Sequence, residues 1–378
     1  MIRRRFWLAR VAEAWRRRPL VWLSGARRTG KTTLARMLEP ETYLNCDLPS
    51  VGRRLGDPES FFAGLDSSGL LVFDEVHRLE DPSAVLKIAA DEHPTLRVLA
   101  TGSSTLAATR KFRDSLTGRK RTVHLVPVLF EELGAFGVGD VRERLLRGGL
   151  PPVLLADGHR GEAYAEWLDS YFARDVQELF RLEKRGAFLR MVELVLRQSG
   201  GMLAVASLSK LAGVSRPTVA SWLEVLQTTH VAHLLRPYAE GGRREIVAQP
   251  KIYGFDTGFV CFARGWDSLR AEDCGLLWEH LVLETLLSIP LERLHFWRDK
   301  QQREVDFVVP RGRQAVDAIE CKWSADSFDP RGMAAFRERY PAGRNLVVSP
   351  HVTESYRRRL GALAVDFVPL PSLRKRLG

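Results

Sequence analysis

The sequence predicts an α/β protein of several domains. Three apolar segments, 19–25 (PLVWLSG), 69–75 (GLLVFDE) and 96–104 (LRVLATGSS), have the composition of strands that are buried on both faces. A helix is predicted at 83–92, between the second and third segments, and apolar strands that alternate with helices are typical of a parallel sheet. A chain of 378 residues has room for two or three domains.

The remaining elements can be taken in chain order. Apolar spacing, glycine and proline mark where each one begins and ends. The sequence predicts a helix at 3–18, a mainly helical stretch at 131–200 that is broken by GGLPP at 148–152, a helix-turn-helix at 207–227, a β-wing around the glycine pair at 241–242, an apolar helix at 276–287, and a pair of strands within 304–322.

Composition narrows the function classes. A content of 45% hydrophobic residues permits real cores and excludes a disordered chain. No apolar run approaches the roughly 20 residues that cross a bilayer, and arginines interrupt the N-terminus, so neither a membrane span nor a secretory signal is predicted. The four cysteines include no CxxC pair, which argues against a zinc ribbon and fits a reducing, cytoplasmic compartment. They are Cys46, Cys261, Cys274 and Cys321.

Positive charge is concentrated near the N-terminus. The whole chain carries a net charge of +11, and residues 1–40 hold eleven Lys and Arg residues against Glu13 and Glu39. Such a patch attracts polyanions, by counterion release if the partner is nucleic acid. A solvated helix face followed by a phosphate-binding loop would give the same excess, so charge alone leaves both interpretations open.

Residues 25–32, GARRTGKT, fit the phosphate-loop pattern GxxxxGK[ST] at every fixed position, and they lie between a predicted strand and a predicted helix. The glycines let backbone N–H groups turn towards phosphate oxygens, and the N-terminus of the following helix adds partial positive charge. Lys31 is expected to reach the β- and γ-phosphates of ATP, and Thr32 to bind Mg²⁺. The predicted nucleotide-binding residues here are Gly25, Ala26, Arg27, Arg28, Thr29, Gly30, Lys31, Thr32 and Thr33.

Two acidic residues, Asp74 and Glu75, end the second predicted strand. Asp74 is placed to complete the Mg²⁺ shell, and Glu75 to orient and deprotonate the attacking water, although an acidic pair can also cap a helix. A glutamate directly after the aspartate favours a hydrolase, because a small-molecule kinase has no water to activate. At the end of the third strand, Ser103 or Ser104 is predicted to sense the γ-phosphate, with helix capping as the alternative.

Arg119, in TGRKR, is a candidate arginine finger. A finger of this kind usually acts on a neighbouring subunit's nucleotide, so it predicts a homo-oligomer, with a ring as one arrangement. A solvated basic loop is the alternative. Arg174 is a second candidate, unless it pairs with Asp175 or Glu178 on its own helix.

The helix-turn-helix at 207–227 has Gly213 in its turn and Ser215 as the predicted N-cap of its second helix. Only one residue of that helix is basic, so the module is predicted either to contact DNA or to pack as a winged helix. Its apolar positions are Leu208, Leu211, Val214, Val219, Trp222, Leu223 and Leu226. The residues that would face DNA are Ser215, Arg216, Thr218 and Ser221.

The strand pair within 304–322 carries charged residues among apolar ones. Residues two apart on a strand share a face, so Glu320 and Lys322 are predicted to point the same way, with Cys321 opposite. Asp306 can share that face if the register permits. Two carboxylates in such a place could bind Mg²⁺ as a nuclease centre, and a solvated sheet edge with one Glu–Lys pair is the alternative. Basic residues that would suit the DNA backbone are Arg298, Lys300, Arg303, Arg311 and Arg313.

The order of short segments carries a family resemblance. GARRTGKT, LVFDEVHR, ATGSS and GRKRTVHLVPVLFEEL are followed by LRGGLPPVL, YFARDVQEL, SRPTVASWLEVL, PKIYGFDTG, WEHLVLETLL and EVDFVV…AIECKW. This series, from about Arg16 to Ser349, resembles the prokaryotic AAA-type P-loop ATPases that carry a winged helix and a C-terminal domain of unknown function similar to PD-(D/E)XK nucleases.

The resemblance implies a division into four parts. These are an ATPase domain with a parallel-sheet core at 1–130, a helical lid or linker at 131–200, a winged helix at 201–250 and a PD-(D/E)XK-like α/β domain at 251–378. In the last part it implies that Asp306, Glu320 and Lys322 are the nuclease core and that Glu279 is the acidic residue of the first helix. Glu279, Asp306 and Glu320 would then be metal ligands. Val305 stands where that family usually has a proline.

Together these features predict a Mg²⁺-dependent ATPase that couples nucleotide turnover to DNA binding or remodelling and carries a metal-dependent nuclease site whose activity the sequence leaves open. One alternative is a nucleotide-switched DNA-binding regulator with an inactive nuclease-like domain. Another is a protein-handling ATPase, in which the basic patch serves only solubility. DNA stimulation of ATP turnover and Mg²⁺-dependent nicking would separate the three.

Overall fold

The computed structural model describes residues 2–66, 68–102, 110–156, 160–177, 180, 182, 184–239, 249–312 and 315–377. The chain divides into two compact units. Unit 1 comprises Met1–Val126, Asp169–Leu182 and Thr228–His230, and unit 2 comprises Pro127–Leu168, Glu183–Gln227 and Val231–Gly378. The finer four-part division stays a prediction.

Unit 1 contains the predicted parallel sheet. Its strand order is β2-β3-β4-β1-β5, and every pair of neighbours is parallel. All residues of β1 and β3 are buried, as expected of strands covered on both faces. The sequence pattern missed β2 and β5, which are short and less apolar. The strands are β1 (Leu20–Ser24), β2 (Thr42–Asn45), β3 (Leu70–Asp74), β4 (Arg97–Thr101) and β5 (Lys120–His124).

The helices of unit 1 begin where the local sequence favours them. Asp57 and Asp81 cap two of these helices by accepting backbone N–H bonds, and proline follows each cap in the first turn. The predicted helix at 3–18 is shorter in the structure. The helices are α1 (Arg5–Trp15), α2 (Lys31–Met37), α3 (Pro49–Arg54), α4 (Pro58–Ala63), α5 (Pro82–Glu92) and α6 (Arg110–Leu116), with a 3-10 turn at Val76–Arg78 and a π-helical turn at Phe172–Gln177.

The helical part of unit 2 is broken at Gly148 and Gly149, as predicted, and a short helix starts at Pro151. A Cβ on Gly148 would lie 1.9 Å from an Asp256 oxygen, and one on Gly149 would lie 2.3 Å from the Arg144 guanidinium. The glycines therefore admit two buried charged side chains. The helices are α7 (Val141–Arg147), α8 (Pro151–Leu154), α9 (Arg160–Tyr171), α10 (Arg185–Arg197), α11 (Val205–Ala212), α12 (Arg216–Thr228) and α13 (Thr257–Arg264).

Helices α11 and α12 form the predicted helix-turn-helix. Gly213 has a φ of 70° in the turn, and Ser215 Oγ accepts the Thr218 N–H at 3.2 Å, which confirms the predicted cap. The apolar pattern is wrong at one position, because Leu211 is 58% exposed while Leu208 is buried. The predicted wing lies largely at 240–248, outside the described residues.

A nine-stranded mixed sheet forms the rest of unit 2, in the order β13-β14-β12-β11-β10-β9-β7-β8-β6. The predicted strand pair is β10 and β11, and the predicted apolar helix is α14. The strands are β6 (Gly201–Met202), β7 (Ala232–Pro237), β8 (Lys251–Gly254), β9 (His295–Arg298), β10 (Glu304–Arg311), β11 (Ala315–Cys321), β12 (Asn345–Val348), β13 (Tyr356–Leu360) and β14 (Leu363–Val368). The helices are α14 (Ala271–Leu287), α15 (Arg331–Arg339) and α16 (Leu370–Leu377), with 3-10 turns at Phe130–Phe136 and Ala325–Ser327. Among the described residues, no helix combines the length and the apolar character that a membrane crossing requires.

Candidate functional site

The phosphate loop connects β1 to α2, and its glycines are required by its geometry. Gly25 has a φ of 148°, and a Cβ there would lie 2.3 Å from the Leu125 carbonyl oxygen. Gly30 has a φ of 98° directly before the first residue of α2. The Thr29 hydroxyl closes the loop by donating to the Ala26 carbonyl at 2.9 Å. A larger residue at either glycine would strain the loop or collide with its neighbours.

Lys31, the first residue of α2, points back into this loop. Its Nζ donates to the carbonyl oxygens of Gly25 and Ala26 at 2.9 and 3.1 Å. Burial lowers the pKa of Lys31, and the charges of Glu75 and Asp175 oppose that shift. The ammonium makes no salt bridge within the described part of the chain. Its present partners are neutral carbonyls that phosphate oxygens could replace.

Asp74 ends β3 and accepts three hydroxyl hydrogen bonds. Thr32 Oγ1 lies 3.3 Å and Thr101 Oγ1 lies 2.5 Å from its Oδ1, and the Tyr43 hydroxyl lies 2.5 Å from its Oδ2. Burial and the bond to Asp74 raise the pKa of Tyr43 to about 12, so the phenol stays protonated in the neutral range and donates its hydrogen bond to Asp74. Thr32 and Asp74 thus bring a hydroxyl and a carboxylate together, a donor set that fits Mg²⁺.

Glu75 follows Asp74 with a left-handed backbone, at a φ of 57°. That conformation is uncommon for a residue with a side chain, and its N–H is fixed by a 3.1 Å bond to Thr101 Oγ1. Its Oε2 lies 3.2 Å from His77 Nδ1. Burial opposes ionisation of Glu75, but the contact with His77 and the charges of Lys31 and Arg27 together outweigh burial and lower the pKa of the carboxyl. The side chain is therefore an ionised acceptor beside the phosphate loop.

Asp175 is a site residue that sequence reasoning missed. It lies in the π-helical turn of unit 1, and its Oδ2 is 3.2 Å from the Arg27 guanidinium. The alternative partner considered for Arg174 was this aspartate, but Asp175 pairs with the phosphate loop instead. Burial raises the pKa of Asp175, against the attraction of Arg27 and Lys31. No local pattern could have found this pair, because 148 positions separate its members.

Other predicted residues of unit 1 have mixed outcomes. Ser103 and Ser104 lie outside the described residues. Arg119 Nε lies 2.5 Å from Asp91 Oδ1, so its guanidinium is bound to α5, and its role as a finger stays a prediction. Arg4 was counted in the exposed basic patch, but it is 4% exposed and donates to the Thr29 carbonyl at 3.0 Å. This hydrogen bond ties the Arg4 side chain to the backbone of the phosphate loop. Arg28 is half-buried with a φ of 62°, and Thr33 is exposed on α2.

In unit 2, strands β10 and β11 bring the predicted carboxylates together. Phe307 pairs with Ile319, and continuing this antiparallel register by one residue sets Asp306 opposite Glu320. Asp306 Oδ2 accepts the Cys321 N–H at 2.7 Å. Lys322 Nζ lies 2.8 Å from Glu320 Oε2, so these two side chains share a face as the strand period predicts.

Glu279 reaches the same cluster from α14, and its partners Lys251 and Tyr253 were not predicted. Lys251, on β8, lies 3.1 Å from Glu279 Oε1 and 2.5 Å from Glu304 Oε1. The Tyr253 hydroxyl donates to Glu279 Oε1 at 2.5 Å. The carboxylates of Glu279, Glu304 and Asp306 overcome the burial of Lys251 and raise its pKa. We name Lys251, Glu279, Glu304, Asp306, Glu320 and Lys322 the carboxylate–lysine cluster.

Burial and the charge of Asp306 raise the pKa of Glu279 to about 7 and hold the pKa of Glu320 well above its usual range. Carboxylates with raised pKa values often mark a functional site, although structural ion-pair networks shift pKa values as well. Among the described residues, however, no group of three or more His, Cys, Asp and Glu side chains has the arrangement of a metal site. In this arrangement Glu279 and Glu320 already bind lysines, which counts against a divalent cation at the predicted ligands. A metal centre there stays a prediction.

Several of the residues that were predicted to contact DNA are accessible to solvent. Arg216 and Ser221 are exposed on α12, Ser215 is exposed at its N-cap, and Thr218 is half-buried and hydrogen-bonded to Ser215. Arg298 and Lys300 are exposed, and Arg298 Nε lies 3.6 Å from Glu304 Oε2 of the cluster. Other basic residues are engaged in ion pairs, Arg303 with Asp299 and Arg311 with Asp317, and Arg313 lies outside the described residues.

Family models match the chain in three places. An AAA domain matches residues 17–134. A domain of unknown function, DUF8612, matches residues 138–270, and another, DUF4143, matches residues 274–373. The first match confirms the predicted AAA-type domain. The other two describe no activity, so the winged helix and the nuclease-like domain stay predictions.

Two mycobacterial proteins are similar over most of the chain. The uncharacterized proteins Mb2031c of Mycobacterium bovis and Rv2008c of Mycobacterium tuberculosis are each 32% identical to it over 325 residues, which cover 82% of this chain and 71% of the relative. Among solved structures, the Walker-type ATPase PABY2304 of Pyrococcus abyssi matches with a TM-score of 0.45 and 18% identity, covering 70% of this chain and 96% of that one. AMPPCP-bound DnaA from Aquifex aeolicus matches with a TM-score of 0.30 and 14% identity, covering 59% and 87%. Neither structural score supports a conclusion.

Proposed function

The chain belongs to the family of the mycobacterial proteins Mb2031c and Rv2008c, and from its AAA domain we propose that it is a Mg²⁺-dependent ATPase that couples nucleotide turnover to DNA binding or remodelling. The observation that carries the ATPase proposal is the phosphate loop itself. Lys31 rests on two backbone carbonyls beside the hydroxyl of Thr32 and the carboxylate of Asp74. These are the three side chains that a P-loop ATPase uses to hold a triphosphate and its Mg²⁺.

Thr32 and Asp74 would hold the Mg²⁺ ion. When bound, that ion would supply charge neutralisation for the phosphate oxygens. The hydroxyls of Thr101 and Tyr43 orient the Asp74 carboxylate, so its oxygens are fixed before any ligand arrives. Lys31 can exchange its carbonyl partners for the β- and γ-phosphates without breaking an ion pair. Backbone N–H groups of the loop and the N-terminus of α2 complete the phosphate cradle.

Glu75 would accept the proton of the attacking water. Its lowered pKa keeps it ionised at neutral pH, and its backbone bond to Thr101 fixes it next to Asp74. His77 contacts the other end of the carboxylate and limits its rotation. Asp175 and Arg27 are ion-paired at the mouth of the loop, so phosphate entry would compete with Asp175 for Arg27.

The test of this function is the rate of ATP hydrolysis with and without single-stranded, duplex and junction DNA. Wild type is compared with Lys31→Ala and Glu75→Gln. We expect both variants to lose turnover, while Glu75→Gln still binds ATP because its amide keeps the shape of the side chain. Normal hydrolysis by Glu75→Gln would remove its assignment as the base. A rate unchanged by DNA, together with no DNA binding at low salt, would favour a protein-handling ATPase.

The DNA part of the proposal rests on accessible positive charge. Arg3, Arg5 and Arg16 are exposed in and next to α1, and Arg216 is exposed at the start of α12. Phosphate contacts of this kind make binding strongly salt-dependent. If DNA is the partner, affinity should therefore fall steeply between low and physiological salt, and Arg216→Ala should reduce it without changing ATP binding.

A second candidate function is a nucleotide-switched DNA-binding regulator whose nuclease-like domain does not cleave. The lysine partners of Glu279 and Glu320 favour this candidate, because an ammonium group already neutralises the charge of each of these two predicted metal ligands. Mg²⁺-dependent nicking of plasmid or junction DNA that is lost in Asp306→Ala would contradict this candidate and support cleavage instead.

A further inference from the structure

Lys251 is a buried lysine at the centre of the carboxylate–lysine cluster. Its side chain is 5% exposed, and it lies 3.1 Å from Glu279 Oε1 and 2.5 Å from Glu304 Oε1. The Nζ atom also lies 5.7 Å from the ring centre of Phe296 and 6.0 Å from that of Tyr253, within the range of a cation–π contact. Two carboxylates and two aromatic faces therefore surround one ammonium group.

The three predicted metal ligands all have partners that belong to the chain. Glu279 binds Lys251, Glu320 binds Lys322 at 2.8 Å, and Asp306 accepts a backbone N–H at 2.7 Å. Each contact uses one oxygen of its carboxylate, Glu279 Oε1, Glu320 Oε2 and Asp306 Oδ2, so a shared divalent cation would have to coordinate the remaining oxygens. It would also lie beside two ammonium groups, and like charges repel strongly in a buried site.

We propose that the Lys251 ammonium is the resident cation of this cluster, in the place where the strand-pair motif would otherwise hold Mg²⁺, and that the cluster in this state does not bind a divalent metal. An ammonium has three N–H donors, enough to serve Glu279 and Glu304 at once. It satisfies the carboxylates with hydrogen bonds rather than with coordination. This inference deepens the second candidate function and rests on it, since a cluster with an internal cation would act as a structural part of a DNA-binding domain.

Lys251 and Lys322 have different places in this arrangement. Lys322 follows β11 next to Glu320, as the motif itself specifies, and it is 26% exposed. Lys251 comes from β8, outside the motif, and bridges Glu279 to Glu304. Removing Lys251 would leave those two carboxylates without their shared partner while the motif residues Asp306, Glu320 and Lys322 stay intact. That difference makes Lys251 the position to test.

The test is Mn²⁺ binding by the full chain without nucleotide. Free Mn²⁺ is measured by electron paramagnetic resonance up to about 1 mM, the weaker end of protein affinities for divalent cations, and unfolding is followed in parallel. In wild type we expect neither Mn²⁺ binding nor a Mn²⁺-induced rise in melting temperature that depends on Asp306. In Lys251→Ala we expect affinity at least about tenfold higher, and we expect Mn²⁺ to raise the melting temperature of the variant.

Two further variants make the result decisive. Lys251→Arg keeps the charge and should behave like wild type, and Asp306→Asn in the Lys251→Ala background should remove the gained binding. If wild type binds Mn²⁺ and Asp306→Asn abolishes that binding, the proposal is overturned. A folded Lys251→Ala variant with no gain in Mn²⁺ affinity would overturn it as well. If Lys251→Ala does not fold, the comparison of wild type with Asp306→Asn decides alone. Because nucleotide is absent, a failure here leaves the ATPase proposal intact, and a protein without ATP turnover would leave the metal result unchanged.

Discussion

Lys31 in unit 1 and Lys251 in unit 2 occupy two predicted sites of similar chemistry, but they have opposite kinds of partner. Lys31 binds two neutral carbonyl oxygens, whereas Lys251 binds two carboxylates. The pKa of Lys31 is accordingly lowered, chiefly by burial, while carboxylates overcome burial at Lys251 and raise its pKa. One lysine has charge available for a ligand, and the charge of the other is already used.

The partners of the two lysines distinguish a binding site from a structural site, even though each site contains the residues of its motif. A binding site keeps a buried charge whose partners a ligand can replace at low cost, and a structural site neutralises that charge within the chain. By this measure the phosphate loop is prepared for an anion, and the carboxylate–lysine cluster is complete. Substituting the lysines should therefore have opposite effects on activity and on stability.

The largest expected effect is on ATP turnover. We expect Lys31→Ala to lower it by about a thousandfold, because the variant loses the charge that meets the phosphates in the transition state. Its free energy of unfolding should stay within about 0.5 kcal/mol of wild type, since the lost partners are neutral carbonyls. Steady-state kinetics and chemical denaturation measure the two quantities.

Lys87→Ala, on the exposed face of α5, is the matched control and should change neither quantity. If Lys31→Ala unfolded more easily than wild type by several kcal/mol, the distinction between the two lysines would not hold.

The next effect is on stability at the other lysine. We expect Lys251→Ala to lower the free energy of unfolding by about 3 kcal/mol, because it leaves Glu279 buried without its counter-charge and leaves Glu304 with only the more distant Arg298, at 3.6 Å. Adding Glu279→Gln to this variant should recover part of the loss, since it removes one of the stranded carboxylates. Denaturant titration of the two variants, with Lys251→Arg as the charge-preserving control, measures both changes. An additive double variant would show that the pair is not energetically coupled.

The sequence predicted those parts of both sites that depend on neighbouring residues. The phosphate loop and the acidic pair at Asp74 and Glu75 are short motifs between apolar strands, so their places in the sheet followed from local spacing. Asp306 and Glu320 came together because strand period and hairpin register leave few alternatives. In each case the fold adds little to what the segment itself specifies.

What escaped prediction depends on contacts between distant segments. Asp175 pairs with Arg27, which lies 148 positions away in the sequence. Lys251 on β8 pairs with Glu279 on α14, which lies 28 positions away. Leu211 has the spacing of a core residue but lies on a helix face that nothing in the described structure covers. Arg4 belongs to a basic segment whose composition is typical of a surface, but its side chain is buried against the phosphate loop. Periodicity and charge counts describe segments, and tertiary packing decides which of their side chains meet.

A smaller effect is expected at the mouth of the phosphate loop. We expect Asp175→Asn to tighten ATP binding by about fivefold, because it removes a negative charge near Lys31 and releases Arg27 for phosphate. Both side chains are about a quarter exposed, so solvent screens much of the interaction. Equilibrium binding of a fluorescent ATP analogue measures the change. Asp66→Asn, an exposed aspartate of the same unit, is the control, and weaker binding by Asp175→Asn would instead make this carboxylate a positioning residue for the nucleotide.

The smallest effect concerns an ion pair that is complete without any ligand. Asp317, on β11, lies 2.6 Å from the Arg344 guanidinium and 3.0 Å from that of Arg311. Burial opposes its ionisation, but the hydrogen bonds from Arg344 and Arg311 outweigh burial and lower the pKa of the carboxyl. Because the folded pKa lies below the unfolded value, the stabilisation is full above about pH 4 and is lost as pH falls through the folded pKa.

We therefore expect Asp317→Asn to cost about 1–2 kcal/mol of unfolding free energy at pH 7, with Arg344 partly exposed to solvent, and the difference from wild type to shrink as pH falls below about 4. Denaturant titration from pH 3 to pH 7 measures it. Asp329→Asn, which breaks the exposed pair with Arg331, should cost less than about 0.5 kcal/mol at any pH. A loss at Asp317 that did not depend on pH would mean that packing, rather than charge, fixes this part of the sheet, and the stability assigned to the charge of Lys251 would need the same pH series before it could be attributed to ion pairing.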